Sequence, residues 1–210
     1  LRAQGQNGEA IKFFRQSLEI HEREEGTSSV AVANLCSSIG LALFSTSNLQ
    51  EAEHMLKRCL EIKKELFGEH HDQVASAANN LAIVLKGAGN LEDAARYLGL
   101  ALRIYEAGND AAKVATACSN LGLLHHSLKN FDEAQVHLER CLALRQKEFG
   151  VEASASVKAA AQLDQLVQHR QALKHKEKRS KQREEREAKG ASSSVTSMSD
   201  RGEAASVPST

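Results

Sequence analysis

The sequence predicts an all-α fold, a right-handed α-solenoid of stacked antiparallel helix pairs. Apolar residues recur at spacings of three and four, which is the period of an amphipathic helix. The only proline of the 210 residues is Pro208, so proline interrupts no helix in the body of the chain. The segment "NNLAIVLKGAGNLEDAARYLGLAL" (79–102) also returns at 119–142 as "SNLGLLHHSLKNFDEAQVHLERCL". A repeat of about 40 residues is typical of helical solenoids.

Each repeat has the same internal layout. Four apolar residues align at spacings of 42, 40 and 42, namely Ile39, Leu81, Leu121 and Leu163. Thirteen residues after the first three of them comes an alanine, at Ala52, Ala94 and Ala134. Small residues at these positions, and at Ala82 and Gly122 in the preceding helix, allow two antiparallel helices to cross closely. Because one helix pair cannot bury both of its faces, neighbouring pairs must stack.

These patterns divide the chain into three parts. The predicted repeat domain covers 1–169, with a helix at about 7–25, full repeats near 29–67, 73–107 and 111–149, and a capping helix from 153. Residues 170–189 form a predicted charged helical extension with nine basic and four acidic side chains. We expect residues 190–210, which contain few large apolar side chains, to be disordered. The chain begins with Leu1 rather than Met, and we expect it to be a fragment.

The motifs "NNLA" (79–82) and "LFGEHHDQVA" (66–75), with an "EA" that opens the second helix, resemble the tetratricopeptide repeat. The 42-residue length resembles the form found in kinesin light chains and related scaffold proteins. His71 replaces the proline of the family's usual "HP" pair, and no repeat has the family's proline after its second helix. The resemblance covers about 1–169. It implies that the protein is a non-enzymatic adaptor in the cytoplasm.

Charge and cysteine content exclude several classes of protein. The 27 basic and 27 acidic residues balance, so no field of the whole molecule favours nucleic acid or an anionic membrane. Four cysteines show no CxxC and no metal-like spacing, which favours small core residues in a reducing compartment. The longest purely apolar run, "LAIVL", is too short to span a bilayer. We therefore expect a cytoplasmic protein with no membrane span.

By the pattern of the resembled family, the first helix of each repeat lines a concave groove and the second faces outward. Ten residues are the candidates for peptide contact there: Asn34, Leu41, Asn79, Asn80, Ile83, Lys86, Asn120, Leu123, His126 and Lys158. An Asn side chain offers a donor and an acceptor, so Asn80 and Asn120 could pair with a passing peptide bond. They could equally bond to neighbouring helices and only fix the packing of repeats. Ile83 and Leu123 could likewise offer apolar contact or belong to the core between repeats.

The predicted groove is polar and nearly neutral. Adaptors that capture the acidic C-terminal tails of chaperones surround such an Asn with Lys and Arg. Here only Lys86 and Lys158 are basic, so we do not expect a two-carboxylate clamp. Aromatic residues, which usually dominate binding hot spots, make up 4 % of the chain. We expect micromolar affinity at best for a short peptide, which corresponds to a binding free energy of about 8 kcal/mol in magnitude.

Two adjacent histidine pairs, His70–His71 and His125–His126, suggest a metal site at first sight. Neighbouring residues on a helix point about 100° apart, so His125 and His126 cannot both face one ion. We interpret all four as loop and surface histidines, and we expect no metal, no cofactor and no small-molecule substrate. The sequence also contains no nucleophile elbow, phosphate-binding glycine loop or HExxH motif.

The sequence therefore predicts a non-enzymatic scaffold that binds a peptide segment of a partner protein in its groove, as a cargo or complex-assembly adaptor. The alternative is a structural assembly subunit that acts through its outer faces and the basic C-terminal helix. A regulatory fragment of a larger protein is a third interpretation. We do not expect nucleic acid as a partner, because the basic extension lacks aromatic residues that would stack on bases. The oligomeric state does not follow from the sequence.

Overall fold

The computed structural model describes the backbone of residues 2–199 and the side chains of residues 8–184. Within the described backbone every regular element is a helix, which confirms the predicted fold class. The helices are α1 Arg2–Glu25, α2 Val30–Ser45, α3 Leu49–Phe67, α4 Asp72–Gly87, α5 Leu91–Ala107, α6 Ala111–Ser127, α7 Phe131–Phe149 and α8 Ser154–Ser199.

The helices form a stack of pairs. Helices α2 and α3 pack together, as do α4 with α5 and α6 with α7. Neighbouring pairs then meet where α3 packs on α4 and α5 on α6. Helix α1 packs on α2 and so occupies the place of a second helix, as the "GEA" at 8–10 predicts. Each pair thus contacts only its neighbours, as expected of a solenoid.

The turn inside each repeat has one geometry with three different sequences. The second residue after the end of each first helix has a left-handed backbone: Ser47 (φ 64°), Gly89 (φ 84°) and Lys129 (φ 62°). Only glycine adopts this conformation without steric cost. The glycine of "KGAGN" suits this turn at Gly89, whereas Ser47 and Lys129 adopt it because the two flanking helices determine the path of the chain.

Close helix crossing is confirmed at the small residues. A Cβ on Gly122 would lie 2.6 Å from Leu138 Cγ and 3.2 Å from the Ala134 carbonyl oxygen. A Cβ on Gly40 would lie 2.7 Å from Leu56 Cγ. These contacts leave no room for a side chain, so glycine is required for the helices of repeats one and three to approach this closely.

The chain divides into two compact units, residues 1–166 and residues 167–210. Helix α8 extends to Ser199 and so includes residues 190–199, for which the composition predicts disorder. This stretch has one glycine and no proline, and nothing in it ends a helix that is already formed. Residues 200–210 lie outside the described residues. Across the part of the chain that the structure describes, no helix has the length and apolarity needed to span a membrane.

Candidate functional site

The ten candidate residues all lie on the first helices of the repeats, on α2, α4, α6 and the start of α8. Aligned by repeat, most of them form rows that run from one first helix to the next. The first row is Asn34, Ser76, Thr116 and Lys158; the second is Ser38, Asn80, Asn120 and Gln162; the third is Leu41, Ile83 and Leu123; the fourth is Phe44, Lys86 and His126. Successive rows are three or four residues apart, so they share one face of each helix. We call these rows the first-helix face.

A series of hydrogen bonds, here called the polar ladder, crosses every junction between first helices. Asn80 Nδ2 donates to Ser37 Oγ over 3.4 Å, between α4 and α2. Asn120 Nδ2 donates to Asn79 Oδ1 over 2.7 Å, between α6 and α4. Ser119 Oγ donates to Gln162 Oε1 over 2.9 Å, between α6 and α8. Each bond joins the same two aligned positions, so the junctions share one polar design.

The ladder gives Asn80 and Asn120 a structural role. Each donates one amide hydrogen to the preceding repeat, which supports the interpretation that they fix packing. An asparagine amide has two hydrogens and an acceptor oxygen, however. Among the described residues no donor reaches the Oδ1 of Asn80 or Asn120, and both side chains are only partly buried. Each of these two side chains can therefore still form hydrogen bonds with the peptide group of a bound segment.

Apolar side chains form the third row, next to the ladder. Leu41 is 39 % exposed, and Ile83 and Leu123 are half-buried. Apolar area that stays in contact with water is available for burial against a ligand. This row is therefore the part of the first-helix face where a bound segment would gain the most binding free energy from burying apolar area.

The fourth row contains a partly buried cation. Lys86 is half-buried, and burial lowers the pKa of its ammonium group. In the described part of the chain no carboxylate or hydrogen-bond acceptor pairs with it. Asp and Glu are absent from all four rows, so Lys86 and Lys158 leave the face weakly positive. His126 lies in the same row, with its ring 5.9 Å from that of Phe131.

Ion pairs, in contrast, concentrate on the outer surface. Arg15 pairs with Glu51, Arg58 with Glu22 and Arg140 with Glu106, each joining successive second helices. Lys113 bridges Asp72 and Asp110 at 2.9 Å each, beside the start of α6. Exposed pairs of this kind contribute little to stability individually, about 0–1 kcal/mol. The three Arg–Glu pairs mark the outer side as a hydrated, charged surface, whereas the Lys113–Asp72 pair joins two first helices.

The histidine prediction is partly wrong. His70 and His71 lie in the turn before α4, where His71 Nδ1 accepts a hydrogen bond from the Gln73 N–H. His125 and His126 instead lie within α6 and are half-buried, and the His125 ring stacks on His137 with centroids 5.5 Å apart. Sequence spacing missed this pair because His137 is on the next helix. Among the described residues, no three metal-ligating side chains come together.

Comparison with known proteins identifies the same type of repeat. Two family profiles, both for the tetratricopeptide repeat, match residues 1–65 and 33–107 with one and residues 114–153 with the other. The first alone spans about half of the chain. The chain belongs to the tetratricopeptide repeat family. No curated protein sequence compared with it matches.

Solved structures of other proteins have the same fold. One is a Podosopora anserina protein, provisionally a kinesin light chain, with nearly identical TPR-like repeats. Its sequence is 17 % identical to this chain and the TM-score is 0.70. The match covers 83 % of this chain and 84 % of that one. Another is BtubC (BKLC) from P. vanneervenii, with 25 % identity and a TM-score of 0.64. This match covers 82 % of this chain and 76 % of that one. Both structures share the stacked helix-pair fold of this chain.

Proposed function

We propose that the chain is a non-enzymatic scaffold that binds an extended segment of a partner protein along the first-helix face. The family and fold support a protein–protein interaction scaffold. The observation that carries the finer proposal is the apolar row of Leu41, Ile83 and Leu123, bordered by the polar ladder and by the unpaired ammonium group of Lys86. The likeness to kinesin-light-chain-like repeats supports a cargo or complex-assembly adaptor.

The dimensions of the face fit an extended chain. Packed helices lie about 8–10 Å apart, and an extended peptide advances about 3.3 Å per residue. Every third residue of such a peptide would therefore reach the next repeat. Apolar side chains at that spacing would meet the third row, while backbone groups would lie near Asn80 and Asn120. Because the face lacks carboxylates and carries Lys86, we expect a neutral or acidic segment to be preferred.

The test must avoid the polar ladder, since changes at Asn80 or Asn120 would also alter repeat packing. We would substitute Leu41→Asp and Lys86→Glu together, and use Val136→Asp as the control. Val136 is 63 % exposed on α7, a second helix, so its substitution places a carboxylate outside the first-helix face. Proteins captured from cell extract would be identified by mass spectrometry, after circular dichroism has shown unchanged helicity.

We expect the Leu41→Asp/Lys86→Glu variant to lose partners that the wild type and Val136→Asp both retain. Retention of the same partners by all three proteins would reject the first-helix face as the binding site.

The charged part of α8 supports a second candidate, assembly through electrostatic contact. Lys174, Lys178 and Lys181 are exposed at spacings of four and three, so they lie on one side of the helix. Replacing the three lysines with glutamate would reverse this charge without touching the repeats. Under this candidate, partners are lost from the triple variant and from high-salt washes, while Leu41→Asp/Lys86→Glu has no effect.

A further inference from the structure

Repeats one and three each contain two buried cysteines, one on the first helix and one on the second. The pairs are Cys36–Cys59 and Cys118–Cys141, and the four residues are free and 0 % exposed. Repeat two has alanine at both aligned positions, Ala78 and Ala101, which are buried to the same degree. The two positions therefore change together, since both are cysteine or both are alanine.

The crossing of α2 and α3 places Cys36 opposite Cys59. A Cβ on Gly40 would lie 2.7 Å from Leu56 Cγ and 3.2 Å from the Ala52 carbonyl oxygen, so the two backbones are very close here. The helices are antiparallel, so one turn back from Gly40 on α2 faces one turn forward from Leu56 on α3. Those two positions are Cys36 and Cys59.

The crossing of α6 and α7 repeats this geometry. A Cβ on Gly122 would lie 2.6 Å from Leu138 Cγ. Cys118 lies one turn before Gly122, and Cys141 lies one turn after Leu138. A disulfide requires Cα atoms about 4.4–6.8 Å apart, which only helices in such close contact provide. Both pairs therefore face each other at crossings suited to a disulfide.

Hydrogen bonds from serine place the second-helix cysteines independently. Burial raises the pKa of the Cys59 thiol, and a hydrogen bond from Ser37 opposes this rise. Ser37 directly follows Cys36. In repeat three, burial raises the pKa of the Cys141 thiol, and hydrogen bonds from Ser119 oppose it in the same way. Each second-helix cysteine thus contacts the turn of the first helix that carries the other cysteine of its pair.

We propose that Cys36–Cys59 and Cys118–Cys141 are two modification sites, at which a small-molecule disulfide such as oxidised glutathione introduces a disulfide within the repeat. The thiolate of one cysteine attacks the small disulfide, which forms a mixed disulfide and releases one thiol. The other cysteine then attacks the mixed disulfide and displaces the second thiol. Two cysteine thiols are oxidised to one disulfide, the small disulfide is reduced to two thiols, and these take up the two protons.

Burial determines how this reaction proceeds. The thiolate is the reacting form, and all four thiols are buried, so the reaction is slow and requires local opening of the helix pair. The bond formed joins the two helices of one repeat and opposes further opening. Oxidation would therefore stiffen repeats one and three and leave repeat two unchanged. This inference does not depend on where a partner binds.

Peptide mapping of the whole native chain tests the proposal. The reduced protein is incubated with oxidised glutathione, and remaining thiols are blocked with N-ethylmaleimide in urea before digestion without reductant. Trypsin cleaves after Lys57 and Arg58, so the peptides that contain Cys36 and Cys59 separate unless a disulfide joins them. We expect linked peptides for both pairs, an intact mass lower by two hydrogens for each disulfide, and a melting temperature raised by several degrees.

Alanine variants provide the matched controls, because alanine fills both positions in repeat two. Cys59→Ala should lose its own link, keep Cys118–Cys141 and show a smaller rise in melting temperature. Cys59→Ala/Cys141→Ala should show no rise on treatment with oxidised glutathione.

Three results for the wild-type chain would overturn the proposal, even if a variant failed to fold. They are four thiols still reduced after the incubation, glutathione adducts that persist in place of internal links, and links between repeats such as Cys36–Cys118. An undiminished rise in melting temperature in Cys59→Ala/Cys141→Ala would overturn it as well.

Discussion

Asn120 Nδ2 donates a 2.7 Å hydrogen bond to Asn79 Oδ1 and so joins α6 to α4 across a repeat junction. Equivalent bonds join α4 to α2 and α6 to α8. In a solenoid each repeat is stabilised mainly by its neighbours, so contacts at junctions determine whether the stack unfolds as one unit. The polar ladder provides one such contact at each junction.

Removing the amide of Asn120 should destabilise the stack. In Asn120→Ala the partly buried Asn79 Oδ1 loses its donor, and we expect the free energy of unfolding to fall by about 1 kcal/mol. Urea unfolding followed by circular dichroism measures this change. Thr116→Ala is the control on the same helix, because Thr116 is exposed and bonds only to the carbonyl of Ala112. Equal losses from both substitutions would show that the ladder bond contributes nothing specific.

The same glycine-to-alanine substitution should have opposite effects at two helical positions. A Cβ at Gly122 would overlap Leu138, so we expect Gly122→Ala to cost about 1–3 kcal/mol. At Gly99 of α5 the nearest atom is Arg103 Nη1 at 3.9 Å, so Gly99→Ala should stabilise by about 0.5–1 kcal/mol through helix propensity. Thermal and urea unfolding of the two variants measure the change in the free energy of unfolding and its sign in each. Stabilisation by Gly122→Ala would contradict the close crossing of α6 and α7.

Stability should fall below neutral pH because of the stacked histidines. Burial, chiefly, and the nearby charges of His125 and Arg140 lower the pKa of His137. The unfolded imidazole takes up its proton near pH 6.5, and the folded one only at lower pH. Between those values the unfolded state binds more protons, so the free energy of unfolding decreases as the pH falls below about 6.5.

Urea midpoints measured from about pH 8 to pH 5 test this pH dependence. We expect His137→Gln to show a smaller loss than the wild type over that range. An identical pH profile in both proteins would rule out His137 as the cause.

Native cysteines should resist thiol reagents. All four are buried, and burial raises the pKa of the Cys36 and Cys118 thiols to about 11. Because the thiolate is the reacting form, both exposure and ionisation oppose modification. We expect no fast-reacting thiol with Ellman's reagent in the native protein and four in urea. A fast native thiol would show that a repeat opens locally on the timescale of the assay.

Most of the fold could be predicted because its signals are local. Ala52 and Gly40 are small for reasons visible in the spacing of their own repeat, and the turn at Gly89 is marked by its glycine. The same turn at Ser47 and Lys129 has no such mark, since the flanking helices impose its left-handed backbone. The Ser-rich composition of 190–199 predicts disorder, whereas α8 continues through these residues.

The candidate site was only partly predictable. Asn80 and Asn120 stand out by their alignment, but their partners Ser37 and Asn79 are 43 and 41 residues away. Which residue each Asn contacts depends on how far one first helix is shifted against the next. Likewise, nothing in the spacing of His125 indicates that His137 stacks on it.

By itself, the sequence determined the helix pairs, their order and the small residues at their crossings, since period and residue size act within one repeat. The tertiary structure decided which polar atoms are used at junctions, which histidines are half-buried and which apolar residues stay exposed. Phe13 and Met55 occupy the same position in their repeats, yet only the latter is covered. The physical reason is that a solenoid buries each repeat against its neighbours, so burial depends on what stands next to a repeat rather than on the repeat alone.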